Sequence, residues 1–139
     1  MMDNTGHLME QMNLLKENYT LIDKRFDEFT KHIQDFINKE YPQLKGIEIH
    51  KIDNCSFSII FLDRDLLFKK TFMGDTENNG FITCYQRTDE YSVEINKLEF
   101  NALGSTNIDA DRPGEKYMIN ISEHAVNIFL NWLHASFKK

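Results

Sequence analysis

The residues whose types and spacing could do chemistry begin with Asp109-Ala110-Asp111-Arg112-Pro113-Gly114. Carboxylates at positions 1 and 3 and a glycine at position 6 match the opening of a calcium-binding loop. The match ends there, because positions 5 and 12 are Pro113 and Asn120 where a carboxamide and a bidentate glutamate are needed. Strand-like sequence flanks the segment, so it reads as a solvated turn.

His50, Asp53 and Cys55 are close in sequence, but a strand and turn need not bring them to one point, and no second cluster supplies a third or fourth zinc ligand. His124 and His134 are ten residues apart on an expected helix and do not share a face; no HExxH occurs. Nucleophile and phosphate motifs are missing as well: the chain has no GxSxG, no GxxxxGK[ST], and no GxGxxG after a strand. Glu94 and Glu99 are expected to face water on a strand. Cys55 and Cys84 lie in strand-like contexts without a CxxC, as buried free thiols do. The expectation is a chain that is not an enzyme and holds no metal and no cofactor.

The elements that carry these residues are read from hydrophobic periodicity. Leu8, Met12, Leu15, Tyr19, Ile22, Phe26, Phe29, Ile33 and Phe36 alternate at steps of four and three, which is helical spacing kept through about four heptads. The helix is expected to start near Asn4 or Thr5 and to stop before Pro42, whose ring disfavours helical geometry at Tyr41. From Ile47 the period changes to two. Strands are expected at 47–52, 56–62, 65–73 and 81–86, then beyond Thr88-Asp89, with turns at Asp53-Asn54 and Asp63-Arg64 and a loop from Gly74 to Gly80. Tyr91, Val93 and Ile95 share one parity while Leu98 and Phe100 share the other, which predicts a β-bulge at Asn96-Lys97. Gly104 to Glu115 reads as the longest loop, Tyr117 to Ile121 as a sixth strand, and Ser122 as the cap of a final helix. That helix presents Val126, Phe129, Leu130, Leu133 and Phe137, with Ile128 and Trp132 flanking.

The fold class is therefore α+β: a long N-terminal helix (1–41), an antiparallel sheet of about five to six strands in meander order (47–121), and a C-terminal helix (122–138) packed on the sheet. At 139 residues this is one domain with an ordinary core, needing no staple. A net charge of −6 disfavours a nucleic-acid surface. The N-terminus has neither a basic start nor an apolar signal core, and no run approaches a membrane span, so a cytoplasmic protein without a membrane partner is expected.

A helix of about 34 residues is about 50 Å long, while a strand is about 20 Å, so part of the rod must overhang its own sheet. Leu14 and Leu21 widen the seam in the first half. Either two subunits clasp each other there or the rod breaks near Asn18-Tyr19-Thr20. Leu8, Met12, Leu15, Tyr19 and Ile22 are the candidate partner or self-association residues. On the sheet, Ile60, Leu62, Leu67, Ile82 and Met118 are expected to fall opposite the face holding Phe57, Ile59 and Phe61, as a second candidate interface.

These features point to a non-enzymatic protein-binding module, acting as an inhibitor by steric occlusion in the manner of an immunity, antitoxin-like or phage counter-defence protein, or as a dimeric chaperone. A homodimer is expected, with another protein as partner. The alternative is a small-molecule-binding or cryptic enzymatic domain with a pocket between sheet and helices.

Overall fold

The four-and-three spacing from Leu8 to Phe36 forms one uninterrupted helix, α1 (Met2–Glu40), of 39 residues. A computed structural model describes residues 2–40, 47–73, 79–110 and 112–137, the side chains of 2–4 and 47 excepted. The helix begins earlier than the expected caps at Asn4 and Thr5, and it does not break at Asn18-Tyr19-Thr20. There the Asn18 amide donates to the Leu14 carbonyl (3.1 Å) and the Thr20 hydroxyl to the Lys16 carbonyl (2.9 Å). These back-bonds let short polar residues sit inside a helix. The expected stop at Tyr41-Pro42 and most of the loop at 74–80 lie outside the described residues.

Seven strands follow: β1 (Ile47–Asp53), β2 (Ser56–Phe61), β3 (Arg64–Phe72), β4 (Gly80–Arg87), β5 (Ser92–Phe100), β6 (Ser105–Asp109) and β7 (Lys116–Met118). All neighbours pair antiparallel in sequence order, and α2 (Ser122–Ser136) closes the chain on the sheet. The strand not expected is β6, which lies in the segment read as a loop. Its polar residues hide the alternation, which Thr106 (buried) and Ile108 (half-buried) carry. Asn101 turns the chain into β6 by accepting the backbone N–H groups of Leu103 and Ser105 through its side-chain oxygen. Gly104 completes the turn at φ +91°, where a Cβ would collide with the Asn120 side chain.

Three further expectations shift by one residue. The β2–β3 turn is Leu62-Asp63, both left-handed (φ 48° and 68°), with Arg64 already paired to Phe61 in β3. The β5 bulge is at Ile95, because Cys84 pairs with Asn96 and Tyr85 with Glu94. Ser122 is the first helical residue of α2, whose cap is Ile121, without a side-chain cap bond.

Both helices lie on one face of the sheet. From the sheet it contributes Phe57, Ile59, Leu66, Phe68, Ile82, Cys84, Leu98 and Phe100, all buried. From α1 it takes Ile22, Phe26, Phe29, Ile33 and Ile37. Phe57 and Phe68 stack at 4.8 Å, with Phe26 at 5.7 Å from Phe57 on the α1 side and Trp132 at 6.0 Å from Phe68 on the α2 side. The buried face of α2 is Ala125, Ile128, Phe129, Trp132, Leu133 and Ser136, while Phe137 is 38% exposed. It is rotated from the expected face because Ala125 and Ser136, small enough for close approach, lie against the core in place of Val126 and Phe137.

Candidate docking surface

The α1 helix is held to the body by ties that start at its midpoint. Ile22 is wholly buried, and the helix passes so close to β4 that a Cβ on Gly80 would stand 2.7 Å from Ile22 Cγ2. The Arg25 guanidinium donates to the Ala102 carbonyl (3.0 Å), and the His32 ring lies 3.0 Å from the Asn120 carbonyl oxygen. On the sheet side Lys70, in register with Leu66 and Phe68 on the covered face, reaches up to form an ion pair with Asp23. The Lys70 side chain is 1% exposed and that of Asp23 33%. Burial pushes the Lys70 pKa below its ordinary value. Its ammonium lies 5.1 Å from the Tyr19 ring centroid, and Tyr19 meets Phe72 edge to face at 5.3 Å.

Beyond these ties the helix has no cover among the described residues. Leu8 is 58% exposed, Met9 63%, Met12 62% and Leu14 58%. Tyr19 and Leu21 are also exposed, and Leu15 is half-buried. Met12, Leu15, the Lys16 stem, Tyr19 and Phe72 line an apolar groove of about 370 Å³ where the free helix meets the end of β3. An array of this kind is what protein-recognition surfaces present and what a solvent-facing helix avoids.

Of the five candidate residues on α1, four therefore line this free stretch, and Ile22 does not. It is the first residue of the core, because the sheet reaches as far as Gly80 and Phe72 beneath it. The candidate set on the sheet does not assemble. Ile82 pairs with Lys70 and so lies on the helix-covered face, fully buried, because the β3–β4 hairpin sets its parity. Leu62 stands in the β2–β3 turn, and Met118 sits on β7 at the far edge. Only Ile60 and Leu67 remain on the open face, half-buried. That face is broken up by the Asp65–Arg87 ion pair (2.9 Å) and by Lys97 over the Phe81 ring (4.5 Å). Glu94 and Glu99 share it, and Glu99 accepts a hydrogen bond from the Asn79 amide (2.6 Å).

The other chemical candidates are dispersed. Asp109 is paired to Lys116 across the β6–β7 hairpin, and Asp111 lies outside the described residues. Cys84 is buried, which pushes its thiol up to about 12; Cys55 is half-buried, and both are free. His50 contacts Glu48 at 3.0 Å, and His124 Nδ1 accepts the Met118 N–H at 2.9 Å. No group of three or more His, Cys, Asp or Glu is placed to hold a metal ion among the described residues. A polar cleft of about 390 Å³ lies between the β6–β7 hairpin and α2, lined by Arg112, Glu115, Tyr117, Glu123, His124 and Asn127.

Sequence reasoning missed Lys70, Asp23 and Phe72, which fix the point where α1 leaves the body. The trace was present in β3, where a lysine occupies the apolar parity of Leu66, Phe68 and Phe72. No family model matches this chain, and no curated protein or solved structure matches it. No helix among the described residues is long and apolar enough to cross a membrane.

Proposed function

We propose that the protein is a non-enzymatic protein-binding module of the cytoplasm, docking through the free first half of α1 and acting by occupying a surface of its partner. The observation that carries the reading is the continuation of the core stripe of α1 into solvent, through Leu8, Met12 and Tyr19, on a helix that stays unbroken. Helices that present such a stripe are recognised by insertion into apolar grooves or by pairing with another helix. Occlusion of the partner, as by an immunity or antitoxin-like inhibitor or a phage counter-defence protein, needs no catalytic group. A dimeric chaperone is a second form of the same reading.

The test compares the tagged protein with a Leu8→Asp/Met12→Asp variant in capture from its native host, read by quantitative mass spectrometry. Both side chains are well exposed, so the variant keeps its circular dichroism and melting temperature. A stoichiometric protein captured by the parent and lost from the variant is the expected result. Equal capture by both would refute the assignment of α1 as the docking element. The polar cleft beside His124 favours one other reading, a small-molecule site, which predicts binding lost on His124→Ala and unaffected by the α1 substitutions.

A further inference from the structure

We infer that the free half of α1 is covered by the same half of a second copy, the two helices running antiparallel in a reversible dimer. The inference rests on the reading of this stretch as a docking element and names its occupant. Three features of the chain argue for it.

The first is direction. The seam of Leu8, Met12, Leu15 and Tyr19 continues the stripe of Ile22, Phe26 and Phe29, so it faces the side on which the sheet lies. A parallel mate seated on that seam would run from residue 22 onward into the first copy's own sheet. An antiparallel mate instead brings the N-terminal end of its helix towards the body, and its own sheet lies beyond the far end of the paired stretch.

The second is length. The α1 helix begins at Met2 and its first buried residue is Ile22, leaving a free stretch of about 30 Å. With the two-fold axis near residue 10, Leu8 lies beside Met12 of the second copy and Thr5 beside Leu15 of the second copy. The first turn of the mate's helix then lies near the level of Tyr19 and Phe72, at the mouth of the apolar groove. Met9 and Gln11 each approach their own counterparts across the axis.

The third is charge and area. Along the flanks of the seam, Met9, Gln11 and Asn18 are neutral and only Lys16 is charged, while Glu10 and Glu17 point away from it. No like-charge confrontation opposes the pairing. Two helices packed over this length bury about 900 Å² in total, below the size of stable specific interfaces and in the range of weak, transient ones. The dimer is therefore one that dissociates in the micromolar range and yields its seam to a larger apolar groove.

The experiment is sedimentation equilibrium of the full chain from about 1 to about 200 µM, together with disulfide trapping in a Cys55→Ser background. The expected result is a weight-average mass rising from monomer to dimer across that range. The Leu8→Asp/Met12→Asp variant should associate at least tenfold more weakly, with an unchanged melting curve. Mixed Thr5→Cys and Leu15→Cys chains should give a heterodimeric disulfide in preference to the Thr5→Cys homodimer, as only antiparallel pairing does. A parent that stays monomeric at 200 µM overturns the dimer; if its capture of another protein still depends on Leu8 and Met12, the docking reading stands without it. A dimer indifferent to the Leu8 and Met12 substitutions, or trapped mainly through Thr5→Cys with itself, also overturns the inference.

Discussion

Removing either member of the Asp23–Lys70 pair should have unequal effects, and the inequality follows from their burial. Lys70 is 1% exposed in its side chain, so Asp23→Ala leaves an ammonium inside the protein facing the Tyr19 ring, with no carboxylate paired to it among the described residues. Removing one partner of a buried pair costs about 3–5 kcal/mol, and the cation–π contact together with partial loss of the proton holds this case to about 3 kcal/mol. Lys70→Met is the opposite case. It keeps an unbranched stem in the same space and leaves a carboxylate that is already one-third exposed and can be hydrated, at about 1 kcal/mol. The double variant, with neither charge, should lie within about 1 kcal/mol of the parent, so the two single effects are far from additive. Urea unfolding followed through Trp132, the one tryptophan and 5% exposed, reads all four chains. The Asp23→Ala melting temperature should fall by about 10 °C. Protons supply a second readout. Because burial lowers the folded pKa of Lys70 from 10.5, the unfolded chain holds that proton to higher pH than the folded one. This residue therefore makes stability rise with pH through the alkaline window between its folded pKa and 10.5, a rise that Lys70→Met removes. If Asp23→Ala proves milder than Lys70→Met, or if the double variant equals the sum of the singles, the pair is not buried as described and the anchoring of α1 must be argued differently.

Leu62 and Asp63 both hold left-handed backbone in a two-residue hairpin, a conformation that favours Asn-Gly, and Leu62 is 61% exposed, so no packing opposes a change. Leu62→Asn/Asp63→Gly should raise the urea midpoint by the equivalent of about 1 kcal/mol; an unchanged midpoint would contradict the turn type. Gly80→Ala should lose about 2 kcal/mol, because the new methyl meets Ile22 Cγ2 at 2.7 Å and Phe100 Cζ at 2.8 Å, measured by the same unfolding assay. Thiol labelling at neutral pH should modify Cys55 readily and Cys84 only on unfolding, since burial holds the Cys84 thiol near 12; fast labelling of both would place Cys84 outside the core.

Much of this architecture is legible in the chain, because periodicity is a local property. Steps of four and three gave α1 its length, and alternation placed six of the seven strands within a few residues of their bounds. What was not legible depends on partners distant in sequence. The face of Ile82 is set by how many residues the preceding hairpin takes, and a change of one reverses it. β6 escapes because Thr106 replaces a larger apolar residue as its inward side chain. On α1, the boundary between core and free seam is invisible: Tyr19 and Ile22 occupy equivalent positions in the pattern, and only the end of the sheet at Phe72 and Gly80 separates them. The spacing alone shows one continuous apolar stripe on α1, while the point where that stripe leaves the core and the Lys70 anchor are visible only in the fold.

The strictly sequential strand order means that each sheet hydrogen bond is made between neighbours in the chain, while α1 waits for residues made much later. Its apolar stripe is complete once Glu40 has been synthesised, yet the residues that enclose it include Phe100 in β5 and Ala102 and Asn120 beyond it, the last about 80 residues on. At ordinary rates of translation that is roughly 4–16 s during which the longest apolar surface of the nascent chain lacks its complete cover. The first element to be made is the last to be enclosed. Chains arrested before β4 should consequently be the ones that aggregate or engage holdase chaperones.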